Sequence, residues 1–183
     1  EQEYLALYEL EVEDLDALQA VSDEHMRRIE TDEMHRSPPE TIDRDNVRSM
    51  YFVETGPRLG GHDDVPETLF MPFTEPVSEE DDEEFNRWYQ EVHLPEVLDV
   101  PGFSAASRYK ETGMNMTGRP WPINFPYLAL YELGDGSKEA FDNAMKELRR
   151  RISEGDRMEI SDALGSDKIT QVYSRITDRI VAT

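Results

Sequence analysis

An α+β protein made of two β-α-β-β-α-β units is what the sequence predicts, on three observations. The heptapeptide YLALYEL occurs twice, at 4–10 and at 127–133. In the same unbroken register, Arg27-Arg28-Ile29 recurs as Arg150-Arg151-Ile152, and Ala17 as Ala140. A repeat this widely spaced signals duplication of a domain rather than a solenoid. The third observation is the alternation of strand-like and helix-like periodicity between 67 and 176, which follows the ferredoxin-like order.

Each element has its own reason. Tyr4 to Leu10 is short, apolar and aromatic, as a buried strand should be. Leu15, Leu18, Val21, His25 and Ile29 make a helical stripe, and Val47 to Glu54 supplies a closing strand. Residues 1–55 therefore read as only the second half, β-α-β, of a first unit. Two strands and one helix are marginal in water. The expectation is that the native polypeptide carries an upstream β-α-β, or that a second chain completes the sheet. Residues 56–66, GPRLGGHDDVP, read as a linker.

Residues 67–183 read as the complete second unit. Thr68 to Phe73 is a strand in which Pro72 argues for an edge or bulge position. Ser78 is placed as an N-cap, with acids filling the first turn where the helix dipole favours them. Phe85, Trp88, Tyr89 and Val92 follow at i, i+3, i+4 and i+7. Phe103 to Lys110 alternates, which puts Phe103, Ala105, Ser107 and Tyr109 on one face and Arg108 on the other. Residues 111–126 form a long loop that carries Trp121 and Phe125. Tyr127 to Leu133 is the repeated strand, and Phe141, Ala144, Met145, Leu148 and Ile152 share a helical face. Ile169 to Ile176 closes the unit.

Composition narrows function. The hydrophobic fraction is 37% against 33% charged, so a core is possible under a very polar surface. The formal net charge is −22, which repels phosphate backbones and anionic lipid, so nucleic-acid and membrane roles are not expected. The acids are spread along the chain, as on salt-tolerant surfaces, rather than gathered in one tail. There is no cysteine, hence no disulfide, thiolate nucleophile or Cys-based metal site. No run is apolar enough for a membrane span, and a cytoplasmic protein is the default.

The stretch WYQEVHLPEVLDVPG, within FTEPVSEEDDEEFNRWYQEVHLPEVLDVPGFSAASRY and followed by YLALYEL, resembles the EthD-like branch of the dimeric α+β barrel superfamily. The resemblance covers residues 67–176, and residues 4–54 resemble the second half of another copy. It implies ferredoxin-like units whose sheets pack face to face into a barrel, within a chain or between chains. Relatives of that kind include cofactor-free monooxygenases, polyketide cyclases, isomerases and dehydratases. The superfamily fixes fold much better than function.

His93 is the residue on which function turns. At about 100° per residue it lies some 40° from Tyr89, on the margin of the apolar face. Pro95 disfavours helical geometry at Leu94, which places His93 in a last helical turn. One reading has a cationic imidazole bonded to free carbonyls there. The other has His93 facing a cavity between helix and sheet as general base or acid, a task its ordinary pKa suits. His25 lies on an apolar stripe, while His35 and His62 sit in polar loops. No pair has metal-ligand spacing.

The sequence thus predicts a cofactor-independent enzyme acting on a small apolar or aromatic oxygenated compound, in a lyase, isomerase, dehydratase or oxygenase step. His93 is the catalytic candidate, and Trp88, Tyr89, Tyr109, Trp121, Phe125 and Tyr131 are candidates for the ligand wall. Trp88, Tyr89 and Tyr109 are residue types more often found packed in a core, and Trp121 and Phe125 suit a lid or a dimer contact. No metal or cofactor is expected, and a homodimer or sheet-completing association is. The alternative is a non-catalytic ligand-binding or assembly protein.

Overall fold

The structure is a computed structural model that describes residues 3–33, 42–43, 45–61, 65–115, 123–178 and 180. Trp121, His35 and His62 lie outside the described residues. The chain divides into two compact units, one of residues 1–52 with 111–122, the other of residues 53–110 with 123–183.

In the smaller unit, helix α1 spans Leu15–Glu30. The Asp14 carboxylate starts it by accepting from the Ala17 amide at 2.8 Å, satisfying one of the four amides that lack an intrahelical partner. Leu18 and Ser22 are the buried residues, whereas Leu15 and Val21 are exposed, so the inward stripe is rotated from the expected one. Tyr4 to Leu10 forms no strand, and Tyr4, Leu5, Leu7, Tyr8 and Leu10 are all exposed. Of the expected strand Val47 to Glu54, only β1, Phe52–Glu54, is formed. Just before it, Tyr51 bonds through its backbone to Thr112 and Met114.

The larger unit is an antiparallel sheet with helices packed on one face. Its strands are β2 (Leu59–Gly60), β3 (Thr68–Thr74), β4 (Phe103–Glu111), β5 (Tyr127–Leu133) and β6 (Ile169–Ser174), and the sheet order is β1-β4-β5-β3-β6. β2 lies in the stretch expected as a linker and pairs with Ala105 and Ala106 of β4. Only a glycine serves at position 60: its φ is +67°, and a Cβ there would meet the Ser104 carbonyl oxygen at 2.4 Å.

Two expectations about strands are corrected. Pro72 lies in an interior strand, not at an edge. β3 runs between β5 and β6, and its pairing with β5 omits Met71 and Pro72 while the pairing with β6 is continuous. The missing N–H is therefore absorbed as a local gap on one side of the strand. Phe103 does not share a face with Ala105, Ser107 and Tyr109, because Ser104 is an extra residue in a bulge: Phe103 pairs with Leu133 and Ala105 with Glu132. The bulge turns Phe103 toward the helices, where it meets Phe70 and Tyr131 at ring distances of 6.4 and 5.7 Å.

The helix expected to break at His93 continues. α2 (Asp82–Trp88) leads into a π turn, Tyr89–His93, and then into α3, Leu94–Leu98. Pro95 explains the π turn. A proline removes one intrahelical donor, and its ring collides with the carbonyl four residues earlier. A wider turn relieves that collision, and the Leu94 amide reaches the Tyr89 carbonyl five residues back. α4, Lys138–Glu154, is capped by Ser137 and ends at Gly155 in the left-handed region. It buries Ala144 and Leu148, but Ile152, expected on that face, is exposed. The Arg151 guanidinium ties α4 to Asp99 after α3 at 2.9 Å.

The core lies between these helices and the sheet: Phe85, Leu94 and Val97 from the helix; Phe70, Ala106, Ala129, Tyr131 and Leu133 from the strands. All seven residues of β5 are buried, so both of its faces are covered. The fold class is α+β, with an antiparallel sheet and helices as a ferredoxin-like arrangement requires.

Candidate functional site

The helix places Asp82, Phe85, Asn86, Tyr89 and His93 at i, i+3, i+4, i+7 and i+11, on the side that meets the sheet. Strand pairing puts Ala106, Arg108 and Lys110 of β4 on one face with Tyr127, Ala129 and Tyr131 of β5. Thr74 of β3 pairs with Tyr127 and joins them.

Arg108 is the central charge. It is only 1% exposed. Its guanidinium carbon lies 4.1 Å from the centroid of the Tyr89 ring, 5.0 Å from that of Phe85 and 5.2 Å from that of Tyr127. Three aromatic faces thus stand where water would otherwise solvate the cation. Nη1 donates to Asn86 Oδ1 at 2.9 Å. The Asn86 amide in turn donates to the Asp82 carbonyl at 2.7 Å, to Asp82 Oδ2 at 3.2 Å and to the Tyr127 hydroxyl at 3.0 Å. Tyr127 donates to Asp82 Oδ1 at 2.6 Å. Asn86 thus links Asp82 to Arg108 by hydrogen bonds. Burial lowers the Arg108 pKa, and the nearby tyrosines and Asp82 oppose that fall. A guanidinium remains charged in proteins nonetheless.

His93 stacks on Trp88, with centroids 4.8 Å apart and planes at 24°. Its ring meets Tyr89 edge-on at 4.9 Å. The Trp88 indole N–H donates to the Glu159 carbonyl at 2.9 Å, which fixes that platform. Nδ1 of His93 is buried and has no hydrogen-bond partner among the described residues. Burial, and then the positive charges of Arg108 and Lys168, push the imidazole pKa down from 6.5 to about 4. At neutral pH His93 is uncharged, so it is not the cationic helix-end cap of the first reading. A neutral imidazole with an unengaged nitrogen is able to accept a proton.

Other polar atoms nearby are also unsatisfied. The hydroxyls of Thr74 and Tyr131 and the Nε and Nη2 of Arg108 make no hydrogen bond among the described residues. The Tyr89 hydroxyl lies close enough to Tyr131 and Thr74 for both to influence its ionisation, though neither contact reaches hydrogen-bond geometry for those two hydroxyls. Burial raises the pKa of both Tyr89 and Tyr131, so both are neutral phenols.

No protein-family model matches this chain, and no curated protein matches it.

Of the residues expected at the site, His93, Trp88, Tyr89 and Tyr131 come together in the larger unit. Tyr109 does not join them: it alternates with Arg108 and pairs with Leu128, on the sheet face away from the helices. Phe125 is half-buried in the segment before β5. Trp121 lies outside the described residues. Arg108, Asn86, Asp82 and Thr74 were not among the sequence candidates. The i, i+4, i+7, i+11 spacing from Asp82 to His93 carried part of that signal. Among the described residues, no group of three or more His, Asp or Glu side chains is placed to hold a metal ion. A separate cavity of about 390 Å³ opens at the Leu133 end of β5, lined by Glu67, Ser104, Glu132 and Arg175. It contains none of the His93 cluster, and its charges are mutually paired, Arg175 with Glu67 and Glu132 with Arg58. Its size does not make it the better site.

Proposed function

We propose that the larger unit is a cofactor-independent enzyme of the EthD-like type, acting on a small apolar or aromatic oxygenated compound. His93 accepts and returns a proton next to a carbonyl or hydroxyl, in a lyase, isomerase, dehydratase or oxygenase step. Trp88, Tyr89 and Tyr131 hold the apolar part of the ligand. The observation that carries this reading is the neutral His93, whose buried Nδ1 is unengaged and whose ring shares Tyr89 with the buried cation Arg108. Such a pair joins a proton acceptor to a positive charge that stabilises an oxyanion formed by proton removal.

The wider reading follows the W-Y-x-x-x-H-x-P pattern at Trp88, Tyr89, His93 and Pro95. It takes the chain as a duplicated ferredoxin-like protein of the dimeric α+β barrel type, cytoplasmic, working as a homodimer or with its sheet completed by a further strand. The exposed copy of YLALYEL at 4–10 favours that association. The same exposure favours the second reading, a non-catalytic ligand-binding or assembly protein.

Native mass spectrometry of the purified chain, to find a retained small molecule, gives the substrate with which to test His93→Ala. Loss of at least a hundredfold in turnover, with the cooperative unfolding transition kept, is the expected result. Full activity in His93→Ala on an identified substrate would refute the enzyme reading.

A further inference from the structure

We propose that the Nε–Nη2 edge of Arg108 is a docking point for the carboxylate of a small aromatic or apolar ligand. This inference rests on the reading that the His93 cluster takes a small molecule, and it names the class.

The chemistry begins with what Arg108 leaves open. Nη1 is committed to Asn86, while Nε and Nη2 have no hydrogen-bond partner among the described residues although they are buried. Those two groups form one side of the guanidinium plane, the side that grips a carboxylate with two parallel hydrogen bonds. The same protein shows that grip elsewhere: Arg58 uses Nε and Nη2 on Glu132 at 3.1 and 2.7 Å. Arg108 presents the same edge with no protein carboxylate on it among the described residues.

Tyr89 connects the remaining groups. The Arg108 guanidinium lies over its ring at 4.1 Å, and His93 meets the ring edge at 4.9 Å. The hydroxyls of Thr74 and Tyr131 adjoin the Tyr89 hydroxyl. All four neighbours carry a buried polar atom without a partner. Leaving so many buried polar groups unmatched is costly, and an acceptor-rich anion satisfies the donors together. The inventory is donor-rich and cationic: two N–H directions from Arg108 and hydroxyls from Thr74 and Tyr131. A carboxylate offers two oxygens and about four acceptor sites. Phe85 and Tyr89 flank Arg108 and Trp88 flanks His93, so the neighbours of a carboxylate held there are aromatic, as a flat or apolar body attached to it prefers. Burial, and after it the charge of Arg108, holds the His93 pKa down; a bound anion would offset the Arg108 part and make His93 a stronger base once substrate is seated.

The test measures binding of benzoate and cyclohexanecarboxylate against their neutral amides, by calorimetry on the full chain. The Arg108 Nε–H resonance is followed by NMR in the same titrations. The carboxylates are expected to bind at least tenfold more tightly than the amides and to shift that resonance. Arg108→Gln should remove the preference while keeping the binding of the amides. Should Arg108→Gln fail to fold, Thr74→Val with Tyr131→Phe, which keeps the shapes, is expected to weaken the carboxylates several-fold more than the amides. Equal binding of acids and amides, or acid binding with the Arg108 resonance unmoved, would overturn the carboxylate assignment and leave the small-ligand reading standing. Binding of neither class overturns both. A carboxylate preference lost in Arg108→Gln, alongside full turnover in His93→Ala, would sustain this inference and sink the catalytic one.

Discussion

Lowering the pH should destabilise this protein through one histidine, and the size of that effect follows from its surroundings. Free in an unfolded chain, His93 titrates near 6.5; in the folded unit, burial and then the charges of Arg108 and Lys168 push it down to about 4. Between those values the unfolded state binds a proton that the folded state does not. Stability contributed by keeping His93 neutral is thus complete above about pH 6.5 and falls as the pH drops toward 4. One pKa unit corresponds to about 1.4 kcal/mol, so the full loss approaches about 3 kcal/mol and the loss at pH 5.5 is about 1.4 kcal/mol. The lower pH is set at 5.5 because the charge of −22 shrinks as carboxylates protonate, which lowers solubility. Urea unfolding at pH 7.5 and 5.5 would be compared between the wild type and His93→Gln. The acids titrate alike in both proteins, so the difference of differences isolates His93. The wild type should lose about 1.4 kcal/mol more than the variant. Equal losses, or an NMR titration of the folded His93 ring with a midpoint at 6 or above, would refute the reasoning.

Other perturbations address the surrounding network. Tyr127→Phe deletes the hydroxyl that donates to Asp82 and accepts from Asn86, and should cost about 0.5–1.5 kcal/mol in urea unfolding, since both partners are half-buried and water replaces part of what is lost. A cost below a few tenths would mean that the link to Arg108 is unimportant. Phe85 is 0% exposed and packs on Tyr89 and Tyr127, so Phe85→Ala should cost about 3–5 kcal/mol. Thermal unfolding that shifts by only a degree or two would contradict the packing described.

The sequence revealed most strands and helices between 67 and 176 because their patterns are strong and local. Phe85, Trp88 and Tyr89 at helical spacing, and the apolar run of β5, name their own structure. It did not reveal the cation at the centre of the site. In a strict alternation from Phe103, Arg108 falls on the face opposite the expected core, and only the bulge at Ser104 brings Phe103 onto the same face as Arg108. A bulge is decided by how two strands meet, and no residue of β4 alone announces it. The helix behaved likewise: Pro95 argued for a stop, but packing of Leu94, Val97 and Val100 in the core holds the chain helical through a π turn. That continuation turns His93 from a helix-end residue into one stacked on Trp88 and edge-on to Tyr89.

The two copies of YLALYEL mark the limit of local reading most sharply. At 127–133 all seven residues are buried, between β4 and β3, and the run is the middle of a sheet. At 4–10 the same seven residues form no strand, and Tyr4 and Tyr8 are 73% and 78% exposed. Identical propensity gives opposite outcomes, because a strand draws its hydrogen bonds and most of its packing from its neighbours. The exposed copy keeps the apolar content of a central strand, a composition that invites pairing with any free strand edge. The association proposed for this protein would give that segment neighbours like those that bury residues 127–133.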